Sequence, residues 1–402
     1  MELKFSLSVA QIQKVSYAKE AEEKFLLDCG DGCSPYGCSE KVAQALREAD
    51  IHDVAAYPHG FQLKDAIIRR WQAYVPLTHD MLYLHNSGMD AIACVNTIFA
   101  RTGAAVVGIC PQFTDYVLSA RCHGFDYRPV YLKQEENFRL MPERVVAAID
   151  DTVSLVYLDN PNNPTGQSVP LDAMRMILDK AREVGACVIS DEAYGDYLAP
   201  EDSAITLVNE YDNLIVMRSF SKGTGLAGMR AAYVAASPEI IAQIDKVSNP
   251  YCINGIGRRL AIAALEDTAF VEENRRRIAA AKQALRSCTG GVLSMAATLG
   301  SCSICLLTHK DKNCDLAKLF ASYGVKVVSG SDFEGLGANS VRLRLPPQEQ
   351  EKALQETILR VKEHSIEEAT KNLDPTDIQG LQRLMNEKRK MQDLRTLHIS
   401  IN

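Results

Sequence analysis

Three residues of distinct chemistry recur at regular intervals along this chain: an amide at Asn163, a carboxylate at Asp191 and an amine at Lys222. Asp191 follows Asn163 by 28 positions, and Lys222 follows Asp191 by 31. The amine sits in Arg218-Ser219-Phe220-Ser221-Lys222-Gly223-Thr224-Gly225-Leu226-Ala227-Gly228-Met229-Arg230, flanked by hydroxyls and followed by three glycines. Small residues let a backbone turn tightly and come close to a bulky anion. A lysine whose pKa is lowered by burial and neighbouring cations suits Schiff-base chemistry with a carbonyl cofactor. Asp191 ends an apolar run, the place where open α/β sheets bind ligands. Its neighbour Glu192 reads as solvent-facing or structural. Asn163 lies in Asp159-Asn160-Pro161-Asn162-Asn163-Pro164-Thr165-Gly166, a loop stiffened so that the amide can donate to a ligand. A Gly-rich surface turn and a plain Asx-turn are the competing readings of these stretches taken singly.

The two intervals each suit one strand-helix-strand unit. Apolar runs at 153–158, 186–190, 214–217 and 231–236 read as strands, joined by earlier ones at 82–85 and 104–110. Helical patterning covers 40–47, 60–74, 91–100 and 172–184. Between strand and helix, Asn86-Ser87-Gly88-Met89 offers free N–H groups at a positive helix end, where a phosphate is stabilised. His85 reads as a packed strand histidine. Beyond Tyr251 a helical region at 256–286 leads to a smaller set: strand 302–307, helix 314–323, and strands 325–328 and 340–345. Alternation along the last strand puts Arg342 and Arg344 on one face. The expected organisation is an arm at 1–40 packing with the small domain, a large domain at 41–254, a small one at 255–364, and an extension at 365–402. Within that extension 385–395 reads as a charged amphipathic helix with no evident chemistry.

The 402 residues carry a formal net charge of -7, with acidic and basic residues interspersed. No basic stripe suggests nucleic acid, no apolar run approaches a membrane span, and no secretory leader is apparent, so a cytoplasmic protein is expected. Twelve cysteines read as reduced, mostly packed thiols. Zinc at Cys29, Cys33 and Cys38 or at Cys302 and Cys305 is the weaker reading, and no metal is expected.

The lysine stretch resembles that of the class I/II pyridoxal-phosphate (PLP) aminotransferases of fold type I. The likeness is closest to the histidinol-phosphate aminotransferase and threonine-phosphate decarboxylase branch, whose pattern runs Ser-Lys-Ala-aromatic-Gly-Leu-Ala-Gly-Leu-Arg. Ser221-Lys222 and Gly225 to Arg230 fit, while Gly223 and Thr224 depart. Asn163-Pro164-Thr165-Gly166 and Asp191 to Tyr194 resemble the same family's motifs, and the likeness spans roughly residues 24–364. It implies an α/β fold: a mostly parallel central sheet with helices on both faces, plus a smaller α/β C-terminal domain. It also implies a homodimer with shared active sites.

By the same resemblance Lys222, Asp191 and Tyr194 are catalytic. Ser87, Gly88, Met89, Ser219, Ser221 and Arg230 secure the PLP phosphate, Phe113 stacks on the ring, and Asn163 and Tyr194 bond its 3′-oxygen. Tyr57 reaches the neighbouring subunit's cofactor. Arg342 binds the substrate carboxylate, and Tyr36 of Pro35-Tyr36-Gly37 borders the substrate. Arg344 suits either a second anionic group on the substrate or a surface ion pair. The implied reaction moves an amino group between an amino acid or amine and a 2-oxo acid through a Lys222 Schiff base. Decarboxylation, another α-carbon elimination or cyclisation is the alternative on the same scaffold. A non-catalytic binding protein is at odds with the complete set of Lys222, Asp191, Asn163 and Tyr194.

Overall fold

The computed structural model describes residues 6–12, 25–371, 379–380, 382 and 385–389. Seven strands form the larger sheet: β1 (Leu82–His85), β2 (Ala105–Cys110), β3 (Asp126–Tyr131), β4 (Val153–Asp159), β5 (Cys187–Glu192), β6 (Leu214–Ser219) and β7 (Ala232–Ala236). Their spatial order is β1-β7-β6-β5-β4-β2-β3, and β7 alone runs against its neighbours. Strands β2, β4, β5 and β6 are buried along their whole length, as continuous apolar runs in a sheet covered on both faces must be.

Alternation divides each strand between two cores. Val156, Leu158, Val188 and Val216 pack with Trp71 on one face; Leu155, Tyr157, Ile189, Ile215 and Met217 pack on the other. Each such side chain stabilises the fold by about 1.5–3 kcal/mol. The same alternation sends Asp159 and Asp191 to the second face and Glu192 and Arg218 to the first.

Helix Leu171–Glu183 makes the expected crossover from β4 to β5. From β5 to β6 the chain passes instead through three 3-10 turns, Gly195–Tyr197, Pro200–Asp202 and Ala204–Leu207. The region 256–286 is likewise two helices, Gly255–Leu265 and Thr268–Cys288, because Asp267 turns its side chain to cap the amide of Phe270.

A second, antiparallel sheet joins β8 (Leu293–Met295), β9 (Ile304–His309), β10 (Val328–Ser329) and β11 (Ser340–Arg344) in the order β10-β11-β9-β8. Its core includes Ile304, Leu307, Phe320, Val341 and Ile358. The expected strand 325–328 is broken, since Val325–Lys326 pairs in parallel with Leu27–Asp28 of the arm rather than joining this sheet. Earlier in the arm, the single turn Leu7–Ala10 lies against the larger unit, with Ser8 donating to the Cys122 carbonyl at 2.9 Å. Helix Glu351–Lys371 runs past the end expected near 361–364. Residues 385–389 are helical, whereas 390–395 of the proposed tail helix fall outside the described residues.

Candidate active site

Asp191 and Asp159 face each other as register partners at the C-terminal ends of β5 and β4. Both line a cavity of about 530 Å³ that runs out between the two sheets to the arm. Asp191 is 3% exposed. It accepts hydrogen bonds from the Tyr157 hydroxyl and from the Ala193 amide, the latter at 2.9 Å. Burial pushes its carboxyl up to about 6, against the pull of Tyr157, Ala193 and the nearby Lys222 charge. Tyr157 in turn stacks on Tyr116, with ring centroids 3.4 Å apart.

The loop after β4 is organised by Asp159. One of its oxygens accepts from the amides of Phe113 (3.1 Å) and Asn163 (2.9 Å), the other from the Asn162 side chain (2.8 Å). That arrangement leaves the Asn163 side chain toward the cavity, where its Oδ1 meets Arg342 at 3.4 Å. Burial pushes the Asp159 carboxyl up to about 7. Neither Asp159 nor Tyr157 stands out in sequence; a carboxylate closing an apolar strand four residues before Asn163 was the available signal.

Lys222 follows β6 by three residues and lies half-buried on the cavity wall, its Nζ 5.5 Å from the centroid of the Tyr194 ring. Gly32 of the arm covers both: a Cβ there would run into the Tyr194 hydroxyl and come within 3.1 Å of Lys222 Nζ. Gly88, Met89, Phe113, Ser219, Ser221 and Arg230 complete this wall. Ser87 caps helix Gly88–Phe99 by accepting from the Asp90 amide at 3.1 Å, so its hydroxyl serves the helix. Two of the glycines after Lys222 make close approaches within the chain. Gly225, at φ +77°, lies against the Gly37 carbonyl, and Gly223 against Asp196, which seats the lysine loop on its neighbours.

On β11, Arg342 lines the cavity and donates to the Gly30 carbonyl, while its buried Nε has no partner among the described residues. Arg344 does not line it. Its guanidinium donates to the carbonyls of Asp28, Asp31 (2.7 Å) and Leu345 (2.9 Å), so it is buried and pins the arm, with no ion pair among the described residues. Tyr36 is also away from the cavity lining; its hydroxyl is buried, and Arg277 lies 5.7 Å from the centroid of its ring. Glu192 is fully buried rather than solvent-facing. It accepts from Arg218 (2.8 Å), Ala204 (2.7 Å) and Ser203 on the opposite face from Asp191. Tyr57 is 73% exposed, its ring tilted by 32° against that of Tyr251 at 5.0 Å beside a second cavity. His85 is fully buried and paired with Asp90 at 3.0 Å. Cys29 is buried while Cys33 and Cys38 are exposed, and Cys302 and Cys305 lie in the second core.

These donors fit PLP. An amine (Lys222), a buried acid (Asp191), two groups suited to a phenolic oxygen (Asn163, Tyr194) and an anion cradle at a helix start border one cavity. The unpartnered Arg342 Nε and the close cover of Gly32 belong to the same space.

A family model, aminotransferase class I and II, matches residues 24–358. The histidinol-phosphate aminotransferase of Halalkalibacterium halodurans is 34% identical over 245 residues, which is 60% of this chain and 64% of that protein. Its Bacillus subtilis counterpart is 31% identical over 240 residues, 59% of this chain and 65% of that protein. The matched stretch thus spans a little under two thirds of each relative. Among solved structures, the Clostridium acetobutylicum histidinol-phosphate aminotransferase superposes with a TM-score of 0.73 at 22% identity, covering 84% of this chain and all of that one. A single mutant of Thermus thermophilus aspartate aminotransferase gives 0.76 at 22% identity, covering 90% of this chain and all of that one. With the fold-type-I architecture shared and the family model spanning most of its length, this chain belongs to the class I and II aminotransferases, whose cofactor is PLP.

Proposed function

We propose that this chain is a PLP-dependent aminotransferase that moves an amino group between an amino acid or amine and a 2-oxo acid. The observation that carries this reading is the meeting of Lys222, Asp191, Asn163, Tyr194 and Arg342 at one cavity. PLP, when bound, supplies an aldehyde that reacts with amines and a ring that accepts electrons from the substrate α-carbon.

The chain's own groups divide the remaining work. Lys222 would hold the aldehyde through its Nζ and, as a free amine, would take the proton from the substrate α-carbon. Asp191 would keep a proton on the ring nitrogen, and Asn163 and Tyr194 would bond the 3′-oxygen while Phe113 would cover the ring. Ser219, Ser221, Arg230 and the amides of Gly88 and Met89 hold the phosphate. Arg342 exchanges its bond to the Gly30 carbonyl for the substrate carboxylate, a two-pronged pairing that a guanidinium suits. The arm at Gly30 to Cys33 then shields the site from water.

A homodimer completes the reading. The exposed pair Tyr57 and Tyr251 offers an aromatic surface to a second copy, through which Tyr57 reaches that copy's phosphate. The large unit runs on through helix Gly255–Leu265, which was expected with the small one but packs Leu260 and Ala264 into the larger core, and residues up to 364 then form the small unit, in a cytoplasmic enzyme of small-molecule substrates. Among the described residues no helix is long and apolar enough to cross a membrane. The test is a panel of amino acids given to the PLP-loaded chain with a 2-oxo-acid acceptor. Stoichiometric amino transfer, absent in Lys222→Ala, is expected; carbon dioxide release without amino transfer would overturn the reading.

A further inference from the structure

The second carboxylate of the cavity has no part in the chemistry above, and its contacts are unusual. All three groups on Asp159 are donors: the amides of Phe113 and Asn163 on one oxygen and the Asn162 side chain on the other. Three donors favour the ionised form, because the neutral acid would carry a proton that none of them can accept. Asn162 cannot turn to receive it, since its Oδ1 is already engaged by the Thr165 amide and hydroxyl.

We propose that Asp159 is a positioning residue, joining the loop of Phe113 to the loop of Asn163 and adding negative charge beside Asp191 at the ring-nitrogen end. The inference rests on the reading of this cavity as a PLP site. Its geometry is specific: a single side-chain oxygen fixes the backbones of the residue that covers the ring and the residue that meets its 3′-oxygen. The donors favour the charged form, while burial pushes the carboxyl up to about 7, so the clasp changes charge near neutrality.

The groups facing Asp159 from the surrounding strands are Asp191 on β5, Tyr157 on its own strand, Cys110 on β2 and Tyr127 on β3. Burial pushes both phenols and the thiol up and keeps them neutral. Titration near pH 7 therefore involves the two carboxylates alone among these groups. An ionised Asp159 makes a positive ring nitrogen at Asp191 more favourable, and it tightens both loops, so the two effects have the same sign.

Two measurements on Asp159→Asn, which keeps shape and removes charge, test this. In absorbance titrations the wild type should bind PLP about tenfold more tightly than the variant at pH 8, the loss typical of a charged hydrogen bond. The two affinities should converge by pH 6, where the wild-type carboxyl carries a proton. The second readout is the melting temperature of the PLP-free chain. Because the folded-state pKa is raised, the stability Asp159 contributes is full below the unfolded value near 4 and lost as pH rises to about 7. The variant should thus gain in melting temperature relative to wild type from pH 4 to 7 and hold that gain above. Asp159→Ala should weaken PLP binding further at pH 8, and if it fails to fold the asparagine variant still decides. An affinity ratio constant from pH 6 to 8, with parallel melting curves, would overturn the inference. A wild type that binds no PLP would break the functional reading instead.

Discussion

At the inner end of the cavity Asp191, Asp159 and Asn163 are each less than a tenth exposed; the two carboxylates accept from amides or a hydroxyl, and Asn163 lies between Asp159 and Arg342. At the outer end Lys222 is half-buried, and Arg230 and Cys33 are exposed. Under the proposed function the inner groups have only to hold charge beside a ring nitrogen and its oxygen, and fixed dipoles in a water-poor site do that without reorganising. The outer groups must let substrate in and move a proton, so they stay reachable from solvent. The contrast separates residues that set the electronics from residues that exchange partners during turnover.

Replacing the amine at the outer end should have the largest effect. Lys222→Ala is expected to lower kcat by about 10³-fold or more, as loss of a proton-transfer group and covalent anchor does; stopped-flow turnover checks it. Next, Arg342→Lys should raise KM about 100-fold with a smaller change in kcat, since a bidentate partner is lost. Arg344→Lys, two residues on, should leave KM near wild type and lower the melting temperature, because Arg344 binds the arm rather than the cavity. Equal effects of the two arginines on KM would erase the division between them.

Tyr157→Phe probes the inner end through a proton. Its hydroxyl lowers the Asp191 pKa, so losing it should move that carboxyl above its value of about 6. The acid limb of the kcat/KM profile should then shift to higher pH, with loss of rate several-fold at pH 6.5 and little at pH 8. The smallest effect is expected at the exposed rim, where Tyr57→Phe should weaken PLP binding about three- to tenfold without altering the pH profile. Sedimentation of the same variant should show an unchanged dimer.

Much of this arrangement was legible in the residue order. Strand β4 followed by Asn160 to Gly166, and β5 ending at Asp191, announce themselves because apolar runs stop where prolines, asparagines and acids begin. Other features depend on contacts between distant segments. Alternation placed Arg344 beside Arg342, but the arm's carbonyls at Asp28 and Asp31 capture it first. Glu192 read as either solvent-facing or structural, and it is structural: Arg218, Ser203 and Ala204 give it partners that make full burial tolerable. The glycines after Lys222 announced a close approach without naming what approaches, which is Gly37 and Asp196. The step from β5 to β6 fits a helical crossover by length, whereas its Pro200 and its serine and tyrosine turns favour short 3-10 pieces.

The central claim is that Lys222 is the amine that holds PLP opposite Asp191. Borohydride reduction of the PLP-loaded chain, followed by peptide mass mapping, reads that link directly. A single phosphopyridoxyl adduct on the Lys222 peptide is predicted, formed in far lower yield in Asp191→Ala. An adduct on another lysine, with the Lys222 peptide unmodified, would contradict it.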